Sequence, residues 1–172
     1  MIPDVGATYF LPRIFNNNIN VGLFYGLTGE RLKGKDLVKC GLATHFVTQE
    51  KLDQLKQKIL ESVDENTNLQ KMNQLCSSYS EIIFKEKDFS LNKLDEIINV
   101  FQLDSLSNVF SRLNEIVEKG EEENKNWAAN ILKNLNSYCP TSLVLHFEQM
   151  KRGIKIKSLE EAYDIELQLI RK

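Results

Sequence analysis

Ile2-Pro3-Asp4-Val5-Gly6-Ala7-Thr8-Tyr9-Phe10-Leu11-Pro12-Arg13 is the stretch on which the reading of this chain turns. Asp4 follows a proline and precedes Gly6-Ala7, a turn that feeds a short apolar helix through Tyr9, Phe10 and Leu11. Pro12 has no N–H to donate and is expected to stop or kink that helix. Taken alone, an aspartate in this setting is an N-cap, with a carboxylate oxygen receiving an orphan amide of the first turn. The positive end of the helix also favours its ionised form. The alternative is a carboxylate held in an active-site turn. One side chain serves both roles only if one oxygen caps while the other faces a pocket.

The polar run Asn16-Asn17-Asn18 predicts a break after this turn. Val21, Phe24 and Leu27 then recur at helical spacing, and Gly29 stands where a left-handed C-cap belongs. A further short helix is expected over Lys35–Cys40, closed by Gly41. Leu42-Ala43-Thr44-His45-Phe46-Val47 is the one convincing strand candidate, and Thr48 can cap the helix after it. A lone strand cannot satisfy its own backbone, so it asks for a sheet that this chain does not obviously supply. Residues 1–48 are therefore expected to form part of a core whose remainder is missing, and residues 49–172 a helical region.

Beyond residue 49 the period is helical throughout. Leu52, Leu55, Ile59 and Leu60 form one stripe, and Leu69, Met72, Cys76 and Tyr79 another. Leu91, Leu94, Ile97, Ile98 and Phe101 follow; Asp104 or Ser105 can cap a helix carrying Leu106, Val109, Phe110, Leu113 and Val117. Glu118 to Asn126 reads as a solvated junction, ahead of a stripe at Trp127, Ala128, Ile131, Leu132 and Leu135. Pro140-Thr141-Ser142 marks a new start, with Leu143, Phe147 and Met150 on one face and Gly153 closing. Ser158-Leu159-Glu160-Glu161 is a capping box opening a last helix, which has no stop signal before Lys172. The stripes are expected to be core.

At 172 residues, 42% hydrophobic and 27% charged, the chain has the composition of one globular domain. Twenty-two basic and 24 acidic residues give a formal charge of -2, no electrostatic reason to expect nucleic acid or an anionic membrane as partner. No apolar run approaches the roughly 20 residues of a membrane span. Cys40, Cys76 and Cys139 are odd in number and widely spaced, which fits a reducing, intracellular setting.

Residues 2–13 resemble the active-site turn of the crotonase, or enoyl-CoA hydratase/isomerase, superfamily. Leu27 to Asp36 (LTGERLKGKD) and Cys40 to Val47 (CGLATHFV) resemble the segments that follow it there. The details are most similar to the 3-hydroxyisobutyryl-CoA hydrolase branch, through Asp4 in the Pro-Asp-Val-Gly turn, Tyr-Phe-Leu-Pro-Arg at 9–13, and Pro-Thr-Ser-Leu at 140–143. Hydratases of the superfamily usually carry glycine where Asp4 stands. The strong match covers residues 1–50, with thinner support over 140–172.

The resemblance implies a crotonase-like α/β fold for the whole protein. This chain would be its C-terminal portion, predominantly α-helical with at most one or two short strands. It implies an acyl-CoA thioester as substrate, with CoA part of that substrate and no separate cofactor, and a role for Asp4 in both catalysis and binding of the substrate's 3-hydroxyl. An attacking glutamate and the oxyanion-hole amides would precede residue 1, leaving the chain alone inactive. Mitochondrial location and a step in valine breakdown follow from the same resemblance. Apolar surface of residues 9–47 is expected to be covered by self-association. Two other readings stay open: another crotonase-fold enzyme, an enoyl-CoA hydratase or dienoyl-CoA isomerase, and a non-catalytic helical interaction module.

The remaining chemistry-bearing residues read as structural. His45 is expected to pack or make a surface hydrogen bond, and His146 to sit on a helix face. No His, Cys and carboxylate set has metal-ligand spacing, so no metal is expected. Arg13 and Lys33-Gly34-Lys35 are expected to be solvated surface, with CoA phosphates the other possibility, and Gly6 and Gly29 to serve backbone geometry.

Overall fold

The computed structural model describes residues 4–64, 67–80 and 93–171. In chain order the helices are α1 (Ala7–Phe10), α2 (Ile14–Asn17), α3 (Ile19–Thr28), α4 (Lys35–Lys39), α5 (Gln49–Ser62) and α6 (Leu69–Tyr79). They continue as α7 (Leu94–Val100), α8 (Leu106–Lys119), α9 (Glu122–Ser137), α10 (Pro140–Gly153) and α11 (Leu159–Ile170), and a 3-10 turn over Leu11–Arg13 joins α1 to α2. No strand occurs among the described residues. The chain divides into two compact units, one formed by residues 1–31 and 91–172, the other by residues 32–90.

In the first unit α3 is the central element. Asn18 caps it, its side-chain oxygen accepting the Asn20 N–H at 3.1 Å, and Gly29 ends it in the left-handed conformation at φ 68°. Val21, Leu23, Phe24, Leu27 and Thr28 are all buried, so the helix is enclosed on every side rather than along one stripe. It packs on α7, α9, α10 and the 3-10 turn. The Phe24 ring meets Phe101 edge-on at 5.1 Å, a geometry worth about 0.5–1.5 kcal/mol beyond the area it buries. At Gly22 the 3-10 turn comes so close that a Cβ would stand 2.1 Å from the Leu11 carbonyl oxygen, leaving no room for any other residue.

Pro12 acts as expected, converting α1 into a 3-10 turn rather than letting it continue. The Asn16-Asn17 break is sharper than a loop: Phe15, Asn16 and Asn17 all take positive φ, and Asn tolerates this better than most residues.

Ser105, not Asp104, caps α8, its hydroxyl accepting the Asn108 N–H at 3.1 Å. Asp104 instead pairs with Arg112, and the guanidinium and the Asn108 amide hold its carboxyl well below the usual carboxylate range. The polar junction expected over 118–126 is much shorter in the structure. α8 runs to Lys119 and α9 already starts at Glu122, whose acidic first turn suits a helix N-terminus. α8 and α9 fold back on each other across this connection, burying Val109 and Leu113 with Ala128, Ile131 and Leu135.

The second unit holds α4, the α5–α6 pair and the segment expected to be a strand. That expectation is wrong. Leu42–Val47 forms no ladder, and the Phe46 backbone is satisfied by one hydroxyl: its N–H donates to Ser80 Oγ at 3.1 Å, and the same hydroxyl donates back to its carbonyl at 2.9 Å. With no neighbouring strand among the described residues, a side chain supplies the bonds a ladder would have made. Thr48 occupies the N-cap position of α5 but its side chain makes no capping bond. The stripes of α5 and α6 are helical as expected, yet only partly core. Leu55 is buried, whereas Leu60 and Leu69 are 81% and 78% exposed. Leu91, placed in the next stripe, lies outside the described residues.

Candidate active site

Asp4 is exposed at the head of a turn in which every amide from Val5 to Phe10 has an acceptor. Val5 N–H donates to Asp4 Oδ1 at 2.6 Å, and Ala7 N–H to the Asp4 carbonyl at 3.1 Å. Tyr9 and Phe10 donate to the Gly6 carbonyl at 2.9 and 3.1 Å. The remaining two, Gly6 and Thr8, donate to a single carboxylate from the far end of the chain: Gly6 N–H to Glu166 Oε2 at 2.8 Å, and Thr8 N–H to Glu166 Oε1 at 2.9 Å. The simple capping reading of Asp4 therefore does not describe this turn. Glu166 receives the orphan amides, and among the described residues the Asp4 side chain bonds only to its own neighbour, Val5.

The backbone here is strained. Val5 has φ 57° and Gly6 φ 82°. Glycine accepts this freely, but a β-branched residue with positive φ is an outlier that costs of order 1–3 kcal/mol. Val5 is also 75% exposed, so burial does not compensate.

Glu166 is 2% exposed on α11, beside Ala162 on the buried face of that helix. The capping box that starts α11 sets its register. Ser158 Oγ accepts the Glu161 N–H at 3.2 Å, and Glu161 reaches back one residue further than the motif implies, accepting the Lys157 N–H at 2.9 Å. Leu159, Tyr163, Leu167 and Ile170 are 41–61% exposed on the same helix. A buried carboxylate flanked by partly exposed apolar side chains departs from ordinary amphipathicity, and a buried charge needs strong bonds to be tolerated. Two charge-assisted bonds from main-chain amides meet that need. Thr8, itself fully buried, also receives Gln149 Nε2 on its hydroxyl at 3.3 Å.

Arg13 is not the solvated residue expected from the sequence. It is half-buried, with its guanidinium 3.9 Å above the Tyr9 ring and its N–H groups directed to the carbonyls of Tyr9, Gly153 and Ile156. A planar, permanently charged fork suits several main-chain acceptors at once. Gly153 permits the approach, since a Cβ there would lie 2.2 Å from the Thr8 carbonyl oxygen. Glu166 and Arg13 thus fasten the two ends of residues 6–13 to the C-terminal helices. The sequence offered Arg13 only as solvated surface or a contact to CoA phosphates, not as this anchor, and it did not single out Glu166, whose one local signal is an acidic side chain between Ile165 and Leu167.

The histidines stand apart from this turn. His45 bonds through Nδ1 to Thr44 Oγ1 and through Nε2 to Ser77 Oγ, each at 2.9 Å. His146 is buried against Gly26, where a Cβ would lie 2.0 Å from Nε2. Burial pushes its pKa down to about 4, and Nε2 has no hydrogen-bond partner among the described residues, so the ring is neutral at pH 7. Lys33 and Lys35 are exposed, with Lys35 5.4 Å from the centre of the Phe46 ring.

Compared with known proteins, residues 1–172 match the family model described as enoyl-CoA hydratase/isomerase. The chain belongs to the enoyl-CoA hydratase/isomerase family. Its relatives include the mitochondrial 3-hydroxyisobutyryl-CoA hydrolase of Dictyostelium discoideum, 36% identical over 166 residues, covering 96% of this chain and 41% of the relative. The corresponding hydrolases of Danio rerio and Homo sapiens are 36% and 33% identical over 172 residues, covering 98% of this chain and 42% and 41% of theirs. The chain thus spans about two fifths of the length of these family members. A crystal structure of a carnitinyl-CoA dehydratase from Mycobacterium thermoresistibile superposes with a TM-score of 0.71 over 95% of this chain and 42% of its own, at 21% identity, which establishes the shared fold. The crotonase resemblance of residues 2–13 and the helical character expected for this part of the fold both hold.

Proposed function

We propose that this chain forms part of a mitochondrial 3-hydroxyisobutyryl-CoA hydrolase acting in valine breakdown, with Asp4 as its contribution to the catalytic and substrate-binding groups. The observation that carries the reading is identity of 33–36% to three such hydrolases over nearly the whole chain. The exposure of the Asp4 carboxylate, with Glu166 taking the α1 amides, supports it.

Attack on a CoA thioester carbonyl builds negative charge on its oxygen, and fixed N–H donors aimed at that oxygen lower the barrier. A carboxylate then acts as nucleophile or general base towards water. A second carboxylate that bonds the 3-hydroxyl orients the acyl group and discriminates against analogues lacking it. Asp4 fills the second role and assists the first. CoA enters as part of the substrate, so no separate cofactor is needed. The attacking glutamate and the oxyanion-hole amides belong, by resemblance, to sequence before residue 1. Residues 1–172 alone are accordingly inactive, and they self-associate through apolar side chains such as Phe10 and Leu42; turnover by the isolated chain, or a single monomeric species on sedimentation, would count against these statements.

The decisive test is a hybrid in which residues 1–172 replace the matching part of the Dictyostelium hydrolase. The hybrid is expected to hydrolyse 3-hydroxyisobutyryl-CoA, and Asp4→Asn to lower kcat by about 10²–10⁴-fold. A folded hybrid that instead hydrates an enoyl-CoA, or that is indifferent to Asp4→Asn, overturns the assignment.

A further inference from the structure

We propose that Glu166 is a positioning residue that holds the Asp4 turn in its strained form; its functional half rests on the role proposed for Asp4. Three observations converge. The turn contains a β-branched residue in the left-handed region, Val5 at φ 57°, followed by Gly6 at φ 82°. Such a conformation persists only where its surroundings over-determine it. The bonds within residues 4–10 leave the Gly6 and Thr8 amides to an outside partner, since Gly6 at the N-cap position of α1 has no side chain to cap with and α1 is a single turn.

The constraint comes from α11. The Glu166 carboxylate spans the turn with one oxygen on the Gly6 amide and the other on the Thr8 amide, at 2.8 and 2.9 Å. This two-point attachment fixes the orientation of the Val5–Gly6 and Ala7–Thr8 peptide planes, as well as their position. It also fixes the direction in which Asp4 leaves the turn, because the Asp4 carbonyl is tied to the Ala7 N–H between them. Finally, it frees Asp4 from capping, since with both amides taken the aspartate does not fold back onto α1. An ionised carboxylate suits this attachment because both of its oxygens accept and neither donates. Glutamine at 166 keeps the shape but replaces one acceptor by an NH₂ that faces an amide donor.

The attachment is deep enough to hold. Glu166 is 2% exposed and Thr8 fully buried, and Thr8 is held from a second side by Gln149 and faced closely by Gly153. Replacing Glu166 therefore leaves the packing around α1 largely in place while removing the bonds that set the turn.

The test begins with the 172-residue chain itself, labelled with ¹³C and ¹⁵N. Couplings across the hydrogen bonds from the Gly6 and Thr8 nitrogens to the Glu166 side-chain carboxyl carbon are expected in the unmodified protein. Their absence, where helical hydrogen-bond couplings in α8 and α9 are seen, overturns the attachment without requiring any variant to fold. In Glu166→Gln, amide exchange at Gly6 and Thr8 is expected to speed up by about tenfold or more with exchange in α8 and α9 unchanged; unchanged exchange at Gly6 and Thr8 also overturns it.

The functional half is read in the hybrid enzyme. Glu166→Gln is expected to lower kcat by about 10²-fold, the scale of a misplacement near 1 Å, with Glu166→Asp recovering little because the shorter side chain cannot reach both amides. KM for 3-hydroxyisobutyryl-CoA should rise in parallel, whereas a merely destabilised enzyme would keep its KM and lose active fraction. Wild-type kinetics in a Glu166→Gln hybrid that still responds to Asp4→Asn refutes positioning alone. A hybrid indifferent to Asp4→Asn refutes the proposed role of Asp4, and the couplings then decide the attachment separately.

Discussion

Helices α5 and α8 are each 14 residues long and each carries an apolar stripe at helical spacing, yet they end in different circumstances. In α8, Val109 and Leu113 are fully buried, because α9 lies along the helix and α7 and α10 also meet it. In α5 only Leu55 is buried, and Leu60, five residues on, is 81% exposed. The same contrast extends to the two units. Phe101, Leu23, Leu113, Leu135 and Met150 are the largest fully buried side chains and all belong to the first unit; among the described residues of the second, the buried apolar side chains are Cys40 and Leu55. A stripe tells which face of a helix prefers to be covered. Coverage itself depends on how many other faces converge on it.

This contrast can be broken or sharpened by substitution. The largest effect is expected at Leu135: Leu135→Ala should destabilise the first unit by about 2–5 kcal/mol, measured by urea unfolding, because the close-packed surroundings cannot collapse into the space. A loss below about 1 kcal/mol would mean that this core is as loose as the second unit.

The next effect concerns His146, which makes the interior of the first unit sensitive to pH. Its pKa is near 4 in the folded chain against 6.5 when unfolded, with burial as the main cause. Between those values the unfolded state binds the proton and the folded state does not, so stability rises with pH across this window. The contribution is fully present above about pH 6.5 and is lost as the pH falls towards 4, reaching roughly 3 kcal/mol. An NMR titration of the His146 ring should give a midpoint near 4; one near 6.5 would show that water reaches the ring. The smallest effect belongs to the second unit. Leu60→Ala should alter stability by less than about 0.5 kcal/mol in the same urea experiment, and a larger loss would reveal that this side chain is covered in solution.

Most of the local structure is legible in the residues. The Val21-Phe24-Leu27 spacing with Gly29 behind it, the Pro140 start and the Ser158 cap each act within a turn or two of where they stand, so local rules suffice to read them. The strand expected at Leu42–Val47 failed because β pairing is a property of two segments, and the second is absent from the described residues. Arg13 and Glu166 were illegible for a related reason. Their partners are Gly153, Ile156, Gly6 and Thr8, more than a hundred residues away, and no periodicity links a single carboxylate to two amides at that distance. Asp4 stands between these cases. Its neighbours marked it as a turn residue, its family resemblance marked it as a chemical one, and only the structure showed that another residue takes the α1 amides.

The separation of Gly6 from Glu166 by 160 positions also has a kinetic meaning. Closing so long a loop costs conformational entropy that local contacts do not, and pairs far apart in the chain tend to form late. During synthesis, residues 4–10 leave the ribosome before the carboxylate that fastens them, which emerges only after α7 to α10 of the first unit. The turn that carries Asp4 is thus made well before it can be set in place.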